Sequence, residues 1–291
     1  MFQAADGVEL YFEDSGGAGS PLFFVYGLGC SIQHWKYPRS YLAEHTERRQ
    51  IWMDFRGHGR SQPPLAGQRL TLDIIADDIA ALCRQRGVED AVILGQSMGG
   101  TVALSLAARH PELTRALVLL ASPGRNPAPF LPVQPVSSLV WRALTGLNRA
   151  LPESLRLAYK GISRANQNPI GRFVFRELIR SGGFNPELAR TEDIEEYIDE
   201  VLRVDPKLFF ELADDLSRFD VASIGHQVQC PVLVIAGAKD KVVPPDETAY
   251  VAKTLPAAEL VVVEHGSHCP HFDDPGTVSR LVTEFLERHD L

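Results

Sequence analysis

No run of about 18 uncharged apolar residues occurs in the sequence, so no membrane-spanning helix is expected. A Lys/Arg-rich block is also missing. With 29 basic against 37 acidic residues and a formal net charge of -8, nothing would track a phosphate backbone, and nucleic acid is not an expected partner. Cysteine is scarce: the four, Cys30, Cys83, Cys230 and Cys269, stand far apart with no CxxC pair. That spacing argues against a zinc knuckle or a disulfide framework and for free thiols in a reducing compartment. The opening MFQAADGVELYFED is acidic and has no apolar stretch, so no secretory signal is read and a cytoplasmic, soluble protein is expected.

What is present is an ordinary globular balance, 45% hydrophobic and 23% charged over 291 residues, long enough for one large core or a core with an attachment. Residues 8–14 alternate and run into SGGAGSP, the pattern of a hairpin edge. Short continuous apolar runs follow at 21–27, 50–55, 91–96, 116–122, 231–237 and 259–266. Runs of that kind predict strands buried on both faces of a parallel sheet. Between them lie helical patterns at 71–86, 98–110 and 276–289. In the first, Leu72, Ile75, Ile79 and Leu82 share a face, with Asp77 and Asp78 turned toward another.

Strand, helix, strand in this rhythm predicts an α/β fold with a doubly wound, mostly parallel sheet. From about 124 to 224 strand patterns cease and helices are expected at 136–149, 153–163, 170–180, 193–203 and 206–217. About a hundred residues is far beyond an ordinary connection, so this insertion after the strand ending near 122 is read as a helical cap. The expected division is 1–123 and 226–291 for the core and 124–225 for the cap.

Gly95-Gln96-Ser97-Met98-Gly99 is a G-x-S-x-G between an apolar strand and a helix, the setting of a tight turn that exposes a nucleophilic serine. A serine hydroxyl needs a base and an orienting acid. Asp240 and His268 each follow a predicted strand, in the chain order Ser, acid, His. His265 and His271 flank His268 at three residues on each side. Metal ligation by the three is not expected, because Gly266 and Pro270 make the segment a loop. Oxyanion contacts are expected from the backbone N–H groups of Leu28, between Gly27 and Gly29, and Met98. The glycines at 27 and 29 lack the third glycine of a dinucleotide fingerprint, and no phosphate loop is present, so no cofactor is expected.

With YGLGCS (26–31), DFRGHGRS (54–61), GQSMGG (95–100), GAKDKVVPP (237–245) and SHCPHFDDP (267–275), the chain resembles the α/β-hydrolase superfamily. The likeness covers residues 8–123 and 226–289 and is to the cap-bearing group of carboxylesterases, enol-lactonases and meta-cleavage C–C hydrolases. It implies Ser97 as nucleophile, Asp240 as acid, His268 as base and Leu28 and Met98 as oxyanion amides. Asp54, Arg56 and His58 would then fix a loop. Two departures stand out: Tyr26 replaces the usual histidine beside Gly27, and Ser267 replaces the usual glycine before His268. A serine at 97 also sets the chain apart from relatives with an aspartyl nucleophile.

The expected activity is two-step hydrolysis of an ester or lactone through an acyl-serine, without metal or organic cofactor. Leu139, Trp141, Leu144 and Leu147 suggest a small, partly apolar substrate, with Trp141, Tyr26 and His271 as pocket candidates. Cleavage of a C–C bond in a diketone acid, or acyl transfer to another acceptor, could use the same residues. A non-catalytic receptor on this fold would not need Ser97, Asp240 and His268 together.

Overall fold

The computed structural model describes residues 1–125, 157, 161, 164 and 167–291. β1 Phe2–Gln3 and β2 Glu9–Leu10 form a small sheet. β3 Phe12–Asp14, β4 Ala18–Val25, β5 Arg48–Met53, β6 Ala91–Gln96, β7 Thr114–Leu120, β8 Val232–Gly237 and β9 Ala258–Val263 form a seven-stranded sheet in the order β3-β5-β4-β6-β7-β8-β9. β3 and β5 are antiparallel and every other pair is parallel. The continuous apolar runs are the central strands: every residue of β6 and of β8 is buried.

Residues 8–14 do not close a hairpin onto the next strand. Leu10 pairs with Phe2, while Phe12 pairs with Met53 of β5. β4 carries Leu22, Phe23, Phe24 and Val25, each at most 1% exposed. A strand so apolar is accommodated between β5 and β6, which leaves the half-buried β3 at the edge.

Helix Leu72–Gln85 starts where the Thr71 hydroxyl accepts the Ile74 N–H at 3.2 Å. Its stripe of Leu72, Ile75, Ile79 and Leu82 is buried as expected. Asp78 departs from expectation. It is 5% exposed and accepts two bonds, at 2.6 and 2.7 Å, from the buried guanidinium of Arg56. A buried cation needs a carboxylate, and Asp78 supplies it. Helix Met98–Arg109 is buried all round from Met98 to Ala107, since it lies between the sheet and the preceding helix.

Between β7 and β8 is the inserted helical cap, with described helices Pro169–Gly183, Thr191–Arg203, Pro206–Leu216 and the short Val221–Ile224. Prolines open the first and third, where a missing N–H costs nothing, and Asn168 and Asp205 cap them. The expected helix 136–149, with Trp141, lies outside the described residues, as does 153–163 apart from Leu157 and Gly161.

Because β4 sits between β5 and β6, the chain reverses direction across the sheet at the β4/β6 boundary. A crevice opens there beyond the carboxyl ends of the strands. Tyr26–Leu28 follow β4 and Ser97 follows β6, so both lie at this crevice.

Candidate active site

Ser97 leaves β6 with φ 53° and ψ -123° and begins helix Met98–Arg109. A non-glycine residue at positive φ is strained, and close packing holds it there. A Cβ at Gly95 would lie 2.5 Å from the Gly99 carbonyl oxygen, and one at Gly99 would collide with the Val25 and Tyr26 carbonyls. The two glycines thus let helix, β6 and β4 meet, and the bond from Ser97 N–H to Leu120 O at 2.9 Å ties the turn to β7.

Asp240 follows β8 and His268 follows β9, and the fold brings both to Ser97. His268 Nδ1 lies 3.0 Å from Asp240 Oδ2, and Nε2 lies 3.0 Å from Ser97 Oγ. A carboxylate only accepts, so Nδ1 carries the proton and Nε2 turns its lone pair to the Ser97 hydroxyl. The other oxygen of Asp240 accepts the Val242 and Val243 N–H groups, each at 2.8 Å. Gln96 Nε2 donates to His268 O at 2.9 Å.

Leu28 lies in a turn closed by Cys30 N–H to Gly27 O at 3.3 Å, with Gly29 at φ +80°. It borders the same cavity as Ser97 and His268. Met98 is the first residue of its helix, where the backbone N–H has no intrahelical acceptor.

That cavity measures about 450 Å³ and is roofed by the cap, through Phe175, Ile179, Phe184, Tyr197, Val201 and Phe209. Among the described residues its lining has no Lys, Arg, Asp or Glu. A larger hollow of about 700 Å³ lies on the far side of Cys30 and Ser31, among Glu13, Asp54, Glu196 and Glu200. It borders none of Ser97, Asp240 and His268, so the smaller cavity is the candidate site.

Two pocket candidates sit behind the wall. Tyr26 is fully buried, stacks on Phe55 at 4.0 Å between centroids and accepts the Phe55 N–H at 2.6 Å. The phenol that replaces the usual histidine thus holds the start of the 54–61 loop. His271 is fully buried and donates from Nε2 to His34 O at 3.1 Å. Neither is part of the described cavity lining, and Trp141 lies outside the described residues. His265 offers its carbonyl to Asn185 Nδ2 at 2.7 Å. In the 54–61 loop, Asp54 accepts the Ile32 and Arg60 N–H groups, and His58 Nδ1 bonds Arg56 O at 3.0 Å. All four cysteines are free thiols, and burial raises the pKa of Cys30 and Cys269 well above the usual range.

No sequence motif singles out His34, yet it borders the cavity. Burial, with His268 nearby, lowers its pKa to about 3. Burial likewise takes His58 to about 4 and His271 well below 6.5. All three are neutral in the fold at pH 7. As pH falls below about 6.5 the unfolded chain takes up protons that the folded one refuses, so stability present above that value is lost toward the folded pKa values. Each such histidine should steepen the loss by about 1.4 kcal/mol per pH unit. Melting temperatures of wild type and H58Q between pH 7 and 4.5 check this, with a shallower fall expected for H58Q. Parallel curves would remove His58 from the account.

A cap-bearing hydrolase fold is what this sheet, insertion and crevice define. The chain belongs to the alpha/beta hydrolase fold family, which matches it over residues 20–275, and within that family its likeness is to the esterase and lactonase type. It is 30% identical over 280 residues to the dihydrolipoyllysine-residue acetyltransferase component of an acetoin cleaving system from Pseudomonas putida, a match covering 96% of this chain and 66% of that protein. The chain therefore spans about two thirds of the length of that relative. It is 28% identical to 2-hydroxymuconate semialdehyde hydrolase from a Pseudomonas species, over 98% of this chain and 93% of that one. A thermophilic esterase from Thermogutta terrifontis superposes with a TM-score of 0.73 at 27% identity, covering 98% and 96% of the two chains.

Proposed function

We propose that the protein hydrolyses a carboxylic ester or lactone through an acyl-serine on Ser97. The observation that carries this is the pair of 3.0 Å contacts linking Ser97, His268 and Asp240. In this reading His268 takes the Ser97 proton as the hydroxyl attacks the carbonyl, and Asp240 steadies the imidazolium. The Leu28 and Met98 N–H groups receive the oxyanion; as it collapses, the C–O bond to the alcohol breaks and His268 gives its proton to the departing oxygen. The neutral imidazole then takes a proton from water, which attacks the acyl-serine, and returns it to Ser97 Oγ as the acid leaves. The division that goes with it is a core of 1–123 and 226–291 under a cap of 124–225.

An apolar lining without charge, among the described residues, fits a neutral acyl group better than a diketone acid, whose carboxylate would need a cation. The likeness to 2-hydroxymuconate semialdehyde hydrolase keeps C–C cleavage as the second reading. A panel of p-nitrophenyl esters, lactones and a vinylogous diketone acid separates the two. Esters or lactones should be the faster substrates, and turnover of the diketone acid alone would overturn the first reading.

The wall predicts chain-length selectivity. Phe209 packs near Gly29 of the oxyanion turn and lines the cavity. Phe209→Ala should raise the ratio of kcat/KM for octanoate over butyrate esters by about tenfold, since each methylene in an apolar pocket carries about 1–3 kcal/mol. An equal loss on every ester with a lower melting temperature would reduce Phe209 to packing.

A further inference from the structure

The loop that carries His268 is tied to the cap by a buried polar cluster that the hydrolytic reading leaves unused. Ser267 is 2% exposed, and its hydroxyl lies 2.6 Å from Asp273 Oδ2 and 3.0 Å from the Gly183 carbonyl of the cap. The Ser267 N–H donates to the same Asp273 oxygen at 2.6 Å, and the Cys269 N–H donates to the Ser267 hydroxyl at 3.2 Å. Asp273 Oδ1 accepts the Asn185 N–H at 2.9 Å, while Asn185 Nδ2 reaches the His265 carbonyl at 2.7 Å. Residues 265 to 273, with His268 between them, are thus held at both ends by the cap turn Gly183–Asn185.

Apolar packing reinforces the tie. Phe184, within that turn, shares a small core with Cys269 and Phe272 and with Ile194 and Ile198 of the next cap helix. Gly183 and Phe184 also border the substrate cavity beside His268. Lifting the turn would strip Asp273 and Asn185, 6% and 2% exposed, of partners they cannot replace inside the protein. The imidazole would then lose the frame that holds it 3.0 Å from Ser97 Oγ.

We propose that Ser267, Asp273 and Asn185 are positioning residues that couple the seating of the cap to the alignment of His268, so that full turnover requires the Gly183–Asn185 turn in place. The hydroxyl that sets Ser267 apart from the family's usual glycine is the residue-specific part of this link. The proposal rests on the reading of His268 as the base.

The test uses the whole chain, with p-nitrophenyl butyrate as substrate and active serines counted by a fluorophosphonate probe, so that kcat is expressed per reactive Ser97. S267A and N185A should each lower kcat by about tenfold with KM within about threefold, the mark of a reacting group held slightly out of place. The double variant should be little worse than the poorer single one, because both act through one frame. D274A is the control for stability alone. Asp274 caps helix Pro275–Arg288 by accepting the Thr277 N–H and belongs to no bond of the cluster, so D274A should melt earlier yet keep its kcat. Wild-type kcat per labelled serine in both S267A and N185A, with H268A inactive, would overturn the coupling and leave the base assignment standing. Activity in H268A would overturn the base assignment, and the coupling with it.

Discussion

Replacing Ser97 with Ala is expected to lower ester turnover by at least about 10³-fold while the protein stays folded. In the proposed mechanism the hydroxyl is the nucleophile; His268 Nε2 faces it at 3.0 Å, and no other side chain of the described lining is placed against that ring nitrogen in the same way. Cys30 and Cys269 border the cavity, but burial keeps both thiols protonated. The fold should survive, because Ala keeps the backbone N–H bond to Leu120 O and loses only the contact of the hydroxyl with His268. Pure S97A that keeps more than about a tenth of the wild-type rate would end the acyl-serine mechanism. Retained circular dichroism and melting temperature are needed beside the rate.

The second large effect separates three histidines that sequence spacing alone leaves as neighbours. H268A should abolish turnover to the same extent as S97A, because in the proposed mechanism the two side chains act as one unit and their losses do not add. H265A and H271A should keep measurable activity. The carbonyl of His265, not its ring, is what Asn185 uses, and alanine preserves it. His271 is a buried wedge whose ring supports His34, so its loss should appear first as a lower melting temperature. An inactive H271A with an active H268A would reassign the base. A double variant S97A/H268A far slower than either single one would show that they act separately.

Much of this was legible before any coordinates. Continuous apolar runs locate strands because a doubly covered sheet leaves no polar face, and six of the seven strands of the main sheet fall within a few residues of their expected places. The G-x-S-x-G was readable because its glycines answer a steric need that no other residue meets. What failed depended on partners distant in sequence. Asp77 and Asp78 look alike in the periodicity, and only the approach of Arg56 shows which one is buried. Amphipathic stripes in the cap mark an apolar face without saying whether a cavity or a neighbouring helix meets it, so Phe175, Tyr197 and Phe209 carried no signal of their own. Ser267 stands out in the sequence as a departure, but its partners at Gly183 and Asp273 are set by the packing of a different segment.

The spread of the site along the chain has a consequence for its birth. Ser97 and His268 are 171 positions apart, and the imidazole belongs to the loop after β9, the outermost parallel strand beside β8. During synthesis the elbow emerges long before its partner, and the docking of β8 on β7, which joins Leu117 to Val232 and must precede that of β9, is a non-local parallel pairing of the kind that forms slowly. On the proposed mechanism a nascent chain therefore presents Ser97 without its base, and the nucleophile is complete only once β9 and the loop after it have docked.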